Sequence, residues 1–538
     1  MVERGAPSLE LARSRTEPII ARLPSAVTAF VGRTLKGPVQ RPVTVASFAE
    51  FQQVFGGLWQ PAPLSYAVEQ FFDHGGGRAI IVRVVNGAHP PTITLPGSGG
   101  ALRLAGVNPG SREYLRASVD YDGIPEADGD RFNLVIQRVR SAGSELIEDQ
   151  EIFRRASLRP DSGRYLADLL LQSRLARAVE PLPAQRPDRS GGPGRSAIGY
   201  AFCNADGDDG GPLTDYDIIG SAAAATGLFA LSAADGFNFL CIPPLSREHD
   251  VGLSALLVAA RYCRERHAML IVDPPASWTT ARAALDGMRD WPFRSDNALM
   301  YYPRIQGVDR LRGRLETFAS CGAVAGMLAR LDESIPLWSA AAGGELTLRP
   351  GLQPAVPVCD ADRQRLAHVG INTLCLPRTD GALRPDARTL AAGGSGLTDW
   401  RYLAARRLGL WVAASIERGT RWVLLEQNGP AVWARAGSLV ETFLDVLGEQ
   451  GAFASADGDR YFVICDERVN RPDTVADGRV NLLFGFATSR PGGFDAWLVT
   501  HHPVASRVRP VSVNRQATSR QRVEWEIETT ILKKMDYR

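Results

Sequence analysis

Lysine is nearly missing: it occurs only at Lys36, Lys533 and Lys534, so arginine carries almost all of the positive charge. A GC-rich coding bias accounts for that imbalance, although arginine also suits fixed, bidentate pairing at protein interfaces better than lysine does. An excess of one charge sign is missing as well. The 61 basic and 59 acidic residues leave a formal net charge of +2, which removes the electrostatic case for nucleic acid as the main partner. No apolar run reaches the roughly 18 residues needed to span a bilayer, so membrane insertion is not expected. The N-terminus, MVERGAPSLELARSRTEP, has no apolar core of a signal peptide. Cysteines stand singly at 203, 241, 263, 321, 359, 375 and 465, odd in number and without a CxxC pair. That pattern predicts free, mostly buried thiols in a reducing compartment and a chain that is cytoplasmic when made and assembled. GxxxxGK[ST], GxGxxG and HExxH do not occur, so nucleotide, dinucleotide and zinc-protease readings lose their usual support, and no cofactor is implied.

What is present is an ordinary soluble balance: 45% hydrophobic and 22% charged residues in 538. That length predicts about two to four domains. Residues 1–24 carry three prolines and no sustained period, and read as an extended arm. A β-α-α-β unit fills 25–86, from AVTAFVG to AIIVRVV; Ser47 and Glu50 have capping-box spacing before its first helix. Over 87–195 helical periodicity fades and turn residues rise, which predicts a mostly β insertion with one helix near 163–178. The segment 196–397 alternates strands such as FNFLCIP and AMLIVDPP with helices, implying parallel pairs. Over 398–502, a helix at 400–418 and a second one with Val432, Trp433, Ala436, Val440, Phe443 and Leu447 in register flank an expected strand at 421–425. Strands at 461–465, 480–487 and 494–500 follow. Residues 503–538 form a C-terminal extension in which VEWEIET alternates like a half-buried strand. The fold class is mixed α/β (α+β) and multidomain, with central sheets flanked by helices, a mostly β insertion and extended arms at both ends.

Candidate chemistry is thin. Asp273 ends a predicted parallel strand, where α/β proteins place catalytic groups, yet two prolines follow and no His, Ser or Lys partner stands out. It is the one residue on which a hydrolase reading could rest. Asn204, Asp206, Asp208 and Asp215 approach calcium-loop spacing, but Asp209 replaces the required glycine and no Glu supplies bidentate ligation; no metal site is expected. GGSGL (393–397) lacks the second glycine of a nucleophile elbow. His501 and His502 alternate on a strand and point apart. His74 and His267 sit at helix ends, where an imidazolium would complement the dipole.

The order of motifs is more informative. AVTAFVGRTLKGPVQRPVTVASFAEFQQVFGG is followed by LSYAVEQFF and GGGRAIIVRVVNG. DRFNLVI, DGDDGGPLTDYDIIG, FNFLCIPP, LIVDPP, GAVAGMLARLD and VGINTL come next. DWRYLAARRLGLWVAASIERGTRWVLLEQNGPAVWARAGSLVETFLDVLGEQGAF, YFVICDE and GRVNLLFGFATSRPGGFDAWLVT close the series. Together, over about residues 16–500, they resemble the tail sheath proteins of contractile phages and related contractile injection systems. Two stretches depart from the family pattern: PLWSAAAGG at 336–344, and the tail past 502.

The resemblance implies a tail-sheath-like fold whose 196–397 domain is subtilisin-like in fold without being catalytic. It implies a non-enzymatic structural subunit of a phage tail or contractile injection particle, polymerising around an inner tube and contracting to drive that tube through a target envelope. Its partners would be copies of itself in stacked hexameric rings, the inner tube protein, and baseplate and terminator or cap proteins. Arms at 8–23 and about 490–502 would exchange β-strands with neighbours. Leu9, Leu11, Ile19 and Ile20 would serve in the first, and Phe494, Ala496 and Leu498, alternating with Asp495, Trp497 and Val499, in the second. Arg401, Arg406, Arg407, Glu417 and Arg418, off the apolar face of the first C-terminal helix, would meet the inner tube. The rival readings are an α/β hydrolase using Asp273 and another structural protein of the baseplate or capsid kind.

Overall fold

The computed structural model describes residues 19–191, 199–339, 346–376, 386–393, 399–454, 460–488 and 494–511. The chain opens with β1 (Thr28–Gly32), β2 (Val43–Val45), α1 (Phe48–Phe55), α2 (Pro63–Asp73) and β3 (Ala79–Arg83). Ser47 caps α1 as its spacing predicts: its hydroxyl accepts from Glu50 N at 3.1 Å, and the Glu50 carboxylate reaches back one residue further, to Ala46 N.

The insertion follows, with β4 (Thr92–Leu95), β5 (Leu102–Gly106), β6 (Leu115–Asp120), β7 (Arg131–Val139), β8 (Ile147–Ser157), α3 (Leu166–Leu171), β9 (Ala176–Ala178) and β10 (Ala201–Phe202). These strands make two small antiparallel sheets, ordered β10-β6-β7-β8 and β4-β5-β9. Leu104, Leu134, Ile136 and Leu166 lie in the core between them.

The chain then returns to the first unit. It runs through α4 (Asp215–Ile219), β11 (Phe239–Cys241), α5 (Leu253–Glu265), β12 (Met269–Val272), α6 (Ala281–Arg289) and β13 (Ala298–Tyr302). A hairpin, β14 (Ile305–Asp309) and β15 (Arg314–Phe318), precedes α7 (Cys321–Ser334), β16 (Leu352–Pro354), α8 (Asp360–His368) and β17 (Ile371–Thr373). Seven strands form one sheet in the order β17-β13-β12-β11-β1-β3-β2, parallel throughout except for β2. Residues 28–83 and 239–373 therefore share a single sheet, with 87–195 looped out between β3 and β11. Its inner strands are buried on both faces, as the unbroken apolar runs AFV, AIIV and MLIV require.

One face of the sheet, with Phe30, Ile81 and Leu299, packs under α1, α2, α7 and two long C-terminal helices, α9 (Leu403–Thr420) and α10 (Pro430–Glu449). The other, with Ala29, Leu240 and Leu270, packs against α5, α6 and α8. Beyond α10 come β18 (Tyr461–Ile464), α11 (Pro472–Ala476), β19 (Val480–Ala487), β20 (Phe494–His501) and β21 (Arg507–Val511), whose strands form an antiparallel sheet in chain order.

Two expectations change. RWVLL at 421–425 is a 3-10 helix rather than a strand, because Arg421 reaches back to Glu417 at 2.7 Å and the backbone goes on turning after α9. The extension past 502 also starts with a paired strand, β21, along β20. Among the described residues no helix is long and apolar enough to cross a membrane.

Candidate functional site

The root of the N-terminal arm is docked. Ile20 is 5% exposed and lies against Gly419 of α9, where an added Cβ would stand 2.7 Å from Ile20 Cγ1; Ile19 beside it is 83% exposed. Trp411 Nε1 donates to the Leu23 carbonyl at 2.8 Å, Ser25 Oγ donates to Asp332 at 2.6 Å, and Arg22 reaches Gln450, the residue after α10, at 2.5 Å. Ile20 to Ser25, inside the arm expected over 8–23, are therefore docked on this chain's own helices, with Ile20 buried. Leu9 and Leu11 lie outside the described residues.

The C-terminal strand differs more. Phe494, Ala496 and Leu498 do alternate with Trp497 and Val499, but β20 is interior, paired with β19 along its whole length and with β21 from Ala496 to Thr500. Both faces are covered: Trp497 and Val499 enter the main core, while Phe494, Ala496 and Leu498 pack on Phe462, Ile464 and Leu483. Within this chain β20 is hydrogen-bonded on both sides and leaves no free edge at Phe494, Ala496 and Leu498. The edges of that sheet are β18 and β21.

The charged group on α9 is largely turned inward. Arg406 is 1% exposed; its Nη2 bonds Asn297 at 2.6 Å and pairs with Asp296 at 3.2 Å, and its guanidinium lies 4.1 Å from the Trp400 ring centroid. Burial pulls its pKa down to about 10, against the pull of Asp296. Arg407 pairs with Asp332 of α7 at 2.5 Å and also donates to the Ser25 carbonyl at 3.3 Å. Glu417 is buried beside Arg421. Arg406 and Arg407 tie α9 to the residues before β13, to α7 and to the arm root, while Glu417 pairs locally with Arg421; of the five, Arg418 is exposed and Arg401 half-buried. Sequence periodicity missed this because an arginine off the apolar stripe reads as solvated until its acidic partner, more than 70 residues away, is placed.

Asp273 caps α7. Its Oδ1 accepts from Ser320 N at 2.7 Å and Cys321 N at 2.8 Å, and burial raises its pKa while Arg304 and these bonds oppose the rise. Ser320 Oγ also donates to it, and no histidine bonds it among the described residues. The near-calcium loop is tied down internally: Asp206 accepts from Thr92 N at 2.8 Å, Asp208 from Gly210 N at 2.7 Å, and Asp215 from Gly252 N at 2.8 Å. His74 is not an imidazolium facing a helix end. Its Nδ1–H donates to the Gln70 carbonyl at 2.7 Å while Nε2 accepts from Arg349 N, and burial pushes its pKa down. Among the described residues no three His, Cys, Asp or Glu side chains are grouped to hold a metal.

No family model matches the chain, and no curated protein matches it. Solved structures do match in fold. The crystal structure of a sheath tail protein from Listeria innocua aligns with a TM-score of 0.57 at 11% identity, covering 88% of this chain and 94% of that one. The cryo-EM sheath complex of an extracellular contractile injection system, PVC, in its contracted state covers 91% and 96%, with a TM-score of 0.53 at 15% identity. The contracted helical sheath of the anti-feeding prophage covers 92% and 98%, with a TM-score of 0.50 at 15% identity. The chain has the fold of contractile tail sheath proteins.

Proposed function

We propose that the chain is the sheath subunit of a contractile injection particle. Copies stack in rings around an inner tube, and re-packing of those copies into a shorter, wider cylinder drives the tube through an envelope. The observation that carries this reading is the extent of the fold match, which covers 91% and 92% of this chain against two sheaths in the contracted state. The work comes from packing between rigid bodies, so no nucleotide or cofactor is required.

Linkage between copies falls to the two ends. The residues before Ile19, with Leu9 and Leu11, form the exchanging arm, while Ile20 to Ser25 stay docked in cis. At the other end the exchange role passes from Phe494, Ala496 and Leu498 to β21, an edge strand that a neighbour's copy can replace along β20. Each main-chain bond in such a strand contributes on the order of 0.5–1.5 kcal/mol, so four or five bonds with their buried side chains hold a junction while the cores move. The inner-tube contact drawn on α9 narrows to Arg418 and Arg401. Baseplate and cap proteins bind the ends of the stack.

Deletion of residues 1–18 tests the arm. The truncated chain folds with an unchanged unfolding midpoint and sediments as a monomer; sheath polymers from it would refute the assignment. Cutting at residue 23 instead removes Ile20 and the Leu23 carbonyl, and so tests folding rather than linkage.

A further inference from the structure

The β14–β15 hairpin has two unlike faces. On the inner face Asp309 is fully buried, taking Arg247 Nη2 at 2.8 Å, Gln60 Nε2 at 3.1 Å and the Tyr66 hydroxyl at 3.2 Å, while its Oδ1 accepts from Leu311 N at 2.8 Å inside the turn. Gly313 closes that turn at φ +65°, bonding back to the Asp309 carbonyl at 2.7 Å. On the outer face Val308 and Leu315 stand directly opposite one another in the register, with Leu311 at the tip; they are 63, 55 and 54% exposed. Arg310, Arg312 and Arg314 surround them: Arg310 pairs with Glu69 at 2.8 Å and lies 3.7 Å from Asp73, while Arg312, Arg314 and Arg247 share the carboxylate of Glu316, and the Arg310 and Arg314 side chains are still 66% exposed. β15 is an edge strand. A hairpin braced on one side and apolar on the other loses little freedom on binding, and an exposed aliphatic cluster rimmed by arginine has the character of an interface.

The insertion carries a concave surface. A groove of about 510 Å³ runs between β8, itself an edge strand, and α3. Ile152, Phe153, Tyr165 and Leu169 supply its apolar lining, Glu151 and Asp168 its charges, and no basic side chain lines it. Glu151 is tied to Arg174 N at 2.8 Å, whereas Asp168 has no ion-pair partner among the described residues.

We propose that the hairpin tip of one copy seats in the insertion groove of a second copy, placing Leu311 among the apolar lining and the tip arginines beside Asp168. Tip and groove are different surfaces, so the contact is heterologous and repeats from copy to copy as an open helical polymer requires. The inference rests on the sheath reading.

Full-length chains carrying Cys359→Ser with Leu311→Cys and Gln172→Cys test it, since Gln172 is exposed and lines the groove at the end of α3. Mild oxidation of assembled material is expected to give a ladder of linked oligomers that neither single cysteine variant gives. Normal cylinders without a ladder would overturn the inference and leave the sheath reading standing, whereas wild-type chains that never form cylinders would defeat the sheath reading itself. Where the cysteine pair disturbs assembly, Leu311→Asp and Asp168→Arg decide. Each is expected to keep the wild-type unfolding midpoint and to cut polymer yield at least ten-fold; unchanged yield in both would overturn the inference.

Discussion

Trp411 on α9 donates its indole N–H to the backbone carbonyl of Leu23 at 2.8 Å, joining residues 388 positions apart. Through this bond and the seat of Ile20 on Gly419, the start of the chain becomes part of the C-terminal helical layer.

Loosening that joint has a stability signature. Ile20→Ala is expected to cost about 2 kcal/mol, at the low end for a buried aliphatic truncation because the site lies near the surface. Trp411→Phe is expected to cost about 1 kcal/mol for the lost hydrogen bond. Urea unfolding of the full-length chain checks both; midpoints equal to wild type would show that the joint holds nothing.

Arg406 and Arg418 are expected to separate sharply although they lie on one helix. Arg406→Met removes the nearer of two arginine partners from the part-buried Asp296, with Arg264 remaining at 3.8 Å, and takes the donor from the buried Asn297 Oδ1; it is expected to cost about 2 kcal/mol. Arg418→Ala, on the exposed side, is expected to stay within about 0.5 kcal/mol of wild type. Thermal unfolding of the two variants reads the difference, and equal effects would contradict the burial of Arg406.

Two histidines make the fold acid-sensitive. His501, held between Thr420 Oγ1 and Ser506 Oγ at 2.8 Å each, is pushed down to about 4 by burial, with Arg421 adding to the effect. His267 is likewise pushed down to about 4, by burial and then by Arg406 and Arg266. Between pH 6.5 and 4 the unfolded chain takes up two protons that the folded chain refuses, so stability is complete above about 6.5 and falls as the pH drops through that window. Each site contributes up to about 3 kcal/mol of that loss at the acid end. The unfolding midpoint followed from pH 7 to pH 4.5 should fall steeply for wild type and less steeply for His501→Gln; parallel curves would exclude His501 as a source.

Asp273→Ala is expected to lower stability by about 1–2 kcal/mol, the cost of losing a helix cap, and Asp273→Asn by less because one acceptor oxygen remains. Chemical denaturation measures this. Hydrolysis of a model ester that disappears in Asp273→Ala, in a chain of unchanged stability, would restore the catalytic reading.

What could be read from the residues alone followed the strength of the local pattern. α9 and α10 were legible because Leu408, Trp411, Val412 and Ile416, then Val432, Trp433, Ala436 and Val440, repeat at helical spacing and are buried together. β12 and β19 were legible as apolar runs bounded by turns. β21 was hidden because RVRPV alternates no apolar face and contains Pro510, which an edge strand tolerates. β8 was hidden because IEDQEIFRR mixes charges along an exposed edge strand. The interior place of β20 and the buried ion pairs of Arg406 and Arg407 depend on partners far along the chain, which no local spacing reveals.

Electron microscopy of the purified full-length chain tests the central claim most directly. The sheath account predicts hollow cylinders of uniform width with a regular axial repeat. A preparation that stays as single particles at every concentration, or that forms only closed shells or flat plates, would contradict it.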